Sequence, residues 1–121
     1  MESNRAQTQR RRRRLREQMR ALIEQPLMRG SVVERLRRCG RSNCACASNP
    51  DARHSGTFLT VSLQGRTQAV HVRPDDEAAL RAAVAAYQRL WTFIDALTAC
   101  ELADLRRQAR ERQRARRRRR A

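Results

Sequence analysis

The arginines of this 121-residue chain are concentrated near its two ends, in two unbroken runs of five. Residues 1–14 contain six Arg and one Glu, a net charge of +5, and residues 106–121 contain ten Arg and one Glu, a net charge of +9. Residues 15–105 therefore carry only +2 of the total charge of +16. Because like charges repel one another and oppose compact packing, a hydrophobic core has to form in this middle segment.

The two basic segments predict disordered tails that bind nucleic acid, with a helical extension as the alternative for residues 106–121. Arginine binds nucleic acid by displacing counterions condensed on the phosphate backbone, and such contacts carry no sequence information. We therefore expect non-specific, salt-sensitive binding to DNA or RNA. The arginines assigned to this binding are Arg10, Arg11, Arg12, Arg13, Arg14, Arg116, Arg117, Arg118, Arg119 and Arg120.

Composition limits the class of protein. With four aromatic residues and 33% charged residues, the chain has little material for a large core, which excludes a multi-domain enzyme. No stretch approaches the roughly 18 apolar residues of a membrane span, and no apolar stretch follows the N-terminal arginines as in a signal peptide. We expect a cytoplasmic protein with no membrane partner, whose four cysteines are thiols or metal ligands.

Residue patterns predict a single small α+β domain over residues 15–105. Apolar residues at helical spacing predict a helix over residues 15–24, which Pro26 stops. Adjacent β-branched residues favour a short strand over a continued helix at residues 31–38. A polar loop follows at residues 39–56, and two alternating runs around Gly65 predict a β-hairpin at residues 57–72.

A long helix is predicted from about residue 75 to beyond residue 105. Asp75, Asp76 and Glu77 place carboxylates at its start, where backbone N–H groups lack partners, and apolar residues then recur every three or four positions. This apolar stripe has two interpretations with equal support. It forms a coiled-coil homodimer or docks on a larger protein, with Glu101 and Asp104 weakening the seam, or it covers the hairpin and the first helix.

The polar loop contains Cys39, Cys44 and Cys46 and is followed by His54. Three thiols and one imidazole within sixteen residues complete a four-ligand set for tetrahedral zinc, and a closed set indicates a structural ion. Gly40 fits a turn that needs a positive φ. The Cys-x4-Cys-x-Cys-x7-His spacing differs from the usual paired Cys-x2-Cys of zinc ribbons. Metal-free loop thiols are the alternative, and a redox pair has the least support because the reactive Cys-x-x-Cys spacing is absent.

The chain resembles a family of small prokaryotic proteins of unknown function over residues 28–100. The resemblance is carried by Gly-Ser-Val-Val-Glu-Arg at residues 30–35, the Cys-Gly-x-x-Asn-Cys-x-Cys-Ala pattern at residues 39–47, and His54. The His-Gly-Pro-Tyr of the family is replaced by His-Ser-Gly-Thr at residues 54–57. The family is loosely associated with transposases, which implies an accessory or DNA-related role and a domain architecture more than an activity.

These observations favour a nucleic-acid-binding accessory protein over an enzyme. The sequence has no glycine-rich phosphate loop, no paired carboxylates in a credible cleft and no Ser-His-Asp set, so we expect no catalysis. The alternative is an assembly protein whose long helix binds a partner while the tails add solubility. Secondary nucleic-acid contacts are assigned to arginines near the cysteine loop, namely Arg37, Arg38, Arg41 and Arg53.

Overall fold

The protein has an α+β fold, which a computed structural model describes for residues 2–121. In chain order the elements are α1 (Asn4–Ile23), β1 (Gly30–Arg37), β2 (His54–Leu63), β3 (Arg66–His71) and α2 (Pro74–Arg120), with 3₁₀ turns at Ala45–Ala47 and Pro50–Ala52. The chain forms two compact units. The helical unit comprises the described residues up to 25 together with residues 89–121, and the sheet unit comprises residues 26–88.

The sheet unit contains a three-stranded antiparallel sheet with the order β1-β2-β3. The predicted strand and the predicted hairpin are both confirmed. Gln64 and Gly65 form the hairpin turn with φ values of 51° and 78°, the left-handed conformation that a two-residue turn of this kind requires. β2 begins three residues earlier than predicted because its pairing with β1 continues to the Arg37–His54 pair.

The core of the sheet unit lies on one face of the sheet. Leu59 and Val61, two residues apart on β2, are buried together with Val72. Met28, Val32, Leu80 and Val84 pack against this cluster. Leu80 and Val84 belong to the apolar stripe of the long helix, so this part of the stripe covers the hairpin, as one of the two interpretations predicts. Among the described residues, no helix combines the length and the apolar character needed to cross a membrane.

The helical unit begins with α1, which starts at Asn4. The sequence predicts disorder for residues 1–14 and a helix only from residue 15, whereas residues 4–14 lie in α1. Two local effects favour this earlier start. The Ser3 side chain accepts a hydrogen bond of 3.2 Å from the backbone N–H of Ala6, which caps the helix, and arginine has a high helix propensity.

The helix α2 runs from Pro74 to Arg120, so the arginine-rich residues 106–120 are helical. This agrees with the helical-extension alternative for that segment. Within the helical unit, α1 and the later part of α2 run antiparallel, since Arg12 pairs with Glu101 and Asp104 while Asn4 lies near Arg110. The described part of the first basic segment is therefore largely helical, as residues 106–120 are, and Arg12 joins it to α2.

Candidate metal centre

The four predicted metal ligands come from the connection between β1 and β2. Cys39 lies two residues after the end of β1, Cys44 caps the first 3₁₀ turn, and Cys46 lies within that turn. His54 is the first residue of β2. The loop between the strands therefore carries three of the ligands and the sheet carries the fourth.

The ligand atoms of Cys39, Cys44, Cys46 and His54 all lie within 4.8 Å of one another. The Sγ atoms of Cys39 and Cys46 are 3.5 Å apart, and Cys44 Sγ is 3.4 Å from His54 Nε2. A tetrahedral ion with bonds of about 2.3 Å to sulfur and about 2.0 Å to nitrogen sets these separations at roughly 3.8 Å and 3.5 Å. Two of the separations are thus close to those of a tetrahedral site, and the cluster could hold a metal ion.

Backbone geometry brings the thiols together. Gly40 has φ of 85°, as the sequence predicts, and this left-handed conformation turns the chain directly after Cys39. The backbone N–H of Cys39 donates a 3.3 Å hydrogen bond to Cys46 Sγ. Such N–H donors stabilise thiolates, which are the form of cysteine that binds metals.

The thiols differ in exposure and in pKa. The backbone N–H of Arg41 and the Cys46 side chain lower the pKa of the exposed Cys39 below its usual value. For the buried Cys46, the Cys39 backbone N–H lowers the pKa, but burial and the neighbouring thiols Cys44 and Cys39 outweigh this donor and raise it. Of these two thiols, Cys39 therefore ionises more readily, and Cys46 gains more from a cation that stabilises its thiolate.

The arginines predicted as secondary contacts lie in two arrangements near these ligands. Arg37 is paired with His54 across the strands, and its guanidinium carbon lies 5.5 Å from the centroid of the Phe58 ring. The His71 ring packs edge-on against the Phe58 ring, with the two ring centroids 5.4 Å apart. Arg38, Arg41 and Arg53 lie exposed in the connection between the strands.

The arginines of the two terminal runs lie on the helical unit. Residues 116–120 are exposed on the last part of α2, and residues 10–14 are exposed on α1 with one exception. Arg12 is half-buried: its Nε donates a 2.7 Å hydrogen bond to Glu101, and its Nη2 pairs with Asp104. Asp104 also accepts a 3.0 Å hydrogen bond from Arg107. Arg12 thus pairs with acidic residues of α2, whereas Arg11, Arg13 and Arg14 form no ion pair with a described residue and Arg10 pairs with Glu2.

Sequence reasoning missed these internal ion pairs. Glu101 and Asp104 are interpreted from the sequence as defects in an apolar seam, and Arg12 as one of five equivalent arginines. The signal that could have found them is that two acidic residues, three positions apart, lie on the same face of the predicted helix. Their partner could not be chosen from the sequence, because Arg12 lies 89 and 92 residues away from them.

We expect Arg12→Gln to raise the pKa of Asp104 toward the ordinary aspartate value of about 3.9. The hydrogen bond from Arg12 is the main cause that holds this pKa low, and a smaller lowering remains because of Arg107. Since the folded pKa lies below the unfolded one, the carboxylate stabilises the fold above about pH 4, and this contribution is lost as the pH falls through the folded pKa.

The measurement is an NMR titration of the Asp104 carboxyl carbon in wild type and variant. Arg13→Gln is the matched control, since Arg13 is an exposed neighbour with no ion pair to a described residue. We expect the Asp104 titration of the control variant to have the same midpoint as that of the wild type. Equal midpoints in Arg12→Gln and wild type would show that the ion pair does not form in solution.

Comparison with known proteins identifies a family for most of the chain. No curated protein and no solved structure matches it significantly. A family profile matches residues 5–82, which include β1, all four ligands of the candidate metal centre, and the hairpin. This match starts earlier and ends earlier than the resemblance found from the motif. Since it spans more than half of the 121 residues, the chain belongs to the family described as Domain of unknown function (DUF6788).

Proposed function

We propose that this protein is a non-enzymatic, cytoplasmic nucleic-acid-binding protein with a structural zinc ion. The zinc is held by Cys39, Cys44, Cys46 and His54, and the nucleic acid is bound through the arginines of the helical unit. The family that the sequence resembles is loosely associated with transposases. DNA is therefore the first nucleic acid to test, and an accessory role in DNA transactions is the first role to consider.

The donor set supports zinc at the metal centre. Three thiolates and one imidazole are ligands of a borderline-soft cation, and Cys₃His is an established structural zinc set. Four protein ligands leave no position for water or substrate, so the ion orders the chain and takes no part in catalysis. The sheet unit is small and has few buried apolar residues. An ion that crosslinks the loop to β2 would supply stability that this small core does not provide.

The charge of the helical unit is the observation that carries the nucleic-acid proposal. The unit contains nineteen arginines and seven acidic residues, a net charge of +12, out of +16 for the whole chain. Its arginines are held on helices with most of their side chains exposed. A surface with this charge density attracts a polyanion and exchanges its counterions for guanidinium groups.

A second candidate, an assembly protein, is favoured by exposed apolar side chains on the later part of α2. Leu102 and Leu105, one turn apart, are 42% and 57% exposed, and Trp91 is 52% exposed. A second copy or a larger protein that covers this surface would use the long helix as its binding element. Leu102→Gln with Leu105→Gln separates the two candidates, because it removes assembly and leaves the arginines in place.

The test uses the full-length chain, purified without a histidine tag or added metal. Mass spectrometry under native conditions measures zinc per chain, and fluorescence anisotropy measures binding to a labelled 20-base-pair duplex of mixed sequence. We expect one zinc per chain and binding that does not depend on the sequence of the duplex. Metal-free protein would overturn the zinc proposal, and absence of binding at low salt would overturn the nucleic-acid proposal.

A further inference from the structure

A cavity of about 410 Å³ lies between α1 and α2 within the helical unit. Arg10, Arg11 and Arg14 line it from α1, together with Gln7 and Thr8. The opposite wall is formed by small side chains of α2, namely Ala99, Cys100 and Ala103. Because these side chains are short, they leave space beneath the guanidinium groups for a ligand.

The three arginines that line this cavity differ in whether they form an ion pair within the protein. Arg10 pairs with Glu2, whereas Arg11 and Arg14 form no ion pair with any residue in the described part of the chain. Both side chains are exposed. Two unused positive charges at the edge of one cavity repel each other, and an anion that lies between them relieves this repulsion.

The geometry suits a phosphate of a nucleic-acid backbone. Arg11 and Arg14 are three residues apart on α1, so they lie on one face and are separated by about 4.5 Å along the helix axis. Guanidinium groups at this spacing can donate hydrogen bonds to different oxygens of one phosphodiester. The Gln7 side-chain amide supplies a further donor, while the Thr8 hydroxyl is occupied by its 2.9 Å hydrogen bond to the Asn4 carbonyl.

We propose that this cavity is a phosphate-binding site at which the helical unit holds the nucleic-acid backbone, with Arg11 and Arg14 as the binding residues. The inference rests on the proposed nucleic-acid function and makes it specific. Instead of ten equivalent arginines on two tails, two residues of the first run make the strongest contacts, Arg12 holds the helix pair together, and Arg13 contributes only to the general charge.

The structure offers a closely matched pair of variants for the test. Arg11→Gln with Arg14→Gln removes the two cavity residues. Arg13→Gln with Arg16→Gln removes two exposed arginines of the same helix with the same spacing, neither of which lines the cavity. Glutamine has nearly the helix propensity of arginine, so both variants keep α1. Circular dichroism checks helicity, and anisotropy with the 20-base-pair duplex measures Kd over a series of salt concentrations.

We expect the cavity variant to bind the duplex at least about tenfold more weakly than the control variant does. The reason is that charge-assisted hydrogen bonds to a phosphate are stronger than the electrostatic attraction between an exposed arginine and the duplex. Its slope of log K against log salt falls by about 1 to 2 more than that of the control, as two phosphate contacts are lost. Equal weakening in the two variants would overturn the cavity site and leave the proposed function intact. Absence of salt-sensitive binding in the wild type would overturn the proposed function itself.

A second measurement locates the contact without any substitution. The methyl groups of Ala99 and Ala103 lie on the wall of the cavity and can be followed by NMR in the full-length wild type. We expect their resonances to shift as the duplex is added, and to shift more than the methyl of Ala115, which lies beside the exposed arginine run on α2. Unchanged Ala99 and Ala103 resonances, with Ala115 shifted, would place the nucleic acid elsewhere on the helical unit.

Discussion

We expect replacement of Cys46 with alanine to abolish binding of the proposed zinc ion and to lower the Tm of the protein by more than about 10 °C. Cys46 is the buried member of the proposed ligand set, with 1% of its surface exposed. Structural zinc contributes on the order of 10 kcal/mol to small zinc-dependent folds. A shift of 4–8 °C accompanies roughly each kcal/mol lost in a domain of this size. The measurements are zinc content by mass spectrometry and thermal unfolding by circular dichroism.

Cys100→Ala is the matched control for this prediction. Cys100 is also buried, with 4% of its surface exposed, but it lies on α2 and outside the ligand cluster. Both variants replace a buried thiol with a methyl group, so they lose similar packing. We expect the control to keep its zinc and to lose only a few degrees of Tm. An equally small decrease in Tm in both variants, together with no zinc in the wild type, would show that the cysteines of the cluster are metal-free loop thiols.

The second large effect is the salt dependence of nucleic-acid binding. If the protein binds nucleic acid as proposed and contacts six or more phosphates, we expect an increase from 50 to 200 mM salt to weaken binding by about a thousandfold or more. The helical unit can supply this number, because it carries a net charge of +12. The measurement is Kd by anisotropy for the full-length protein on a 20-base-pair duplex across this range of salt.

A second duplex with a different base sequence provides the control for this salt series. A duplex with the same composition in a different order should give the same Kd and the same slope, because phosphate contacts position a protein without specifying bases. An affinity that hardly changes between 50 and 200 mM salt would contradict binding through the phosphate backbone. Different slopes for the two duplexes would instead indicate base contacts, for which Arg37 and Phe58 in the sheet unit are the first residues to test.

The Cys/His cluster and the hairpin could be predicted from the sequence because both depend on local information. The four ligands lie within sixteen residues, and the hairpin is defined by alternating side chains on either side of Gly65. Each pattern was sufficient without knowledge of the rest of the chain. The closeness of the ligand atoms, within 4.8 Å, adds what spacing alone could not establish.

The state of the basic segments could not be predicted in the same way. Charge repulsion within residues 1–14 predicts disorder when that segment is considered alone. The pairing of Arg12 with Glu101 and Asp104 links this segment to another one about ninety residues away, and no local pattern shows it. The effect of a charged run therefore depends on which of its members find partners after folding.

The position of His54 at the start of β2 would link metal binding at the Cys/His cluster to the alignment of the strands. His54 lies opposite Arg37 in the sheet, and a shift of the pairing by one residue would turn its side chain to the opposite face, away from the three thiols. A shift of one residue would therefore leave the ligand set incomplete. Metal binding during folding would thus stabilise the native alignment of β1 and β2 over the shifted one. A chain with shifted strands would have only three ligands and would bind the ion weakly.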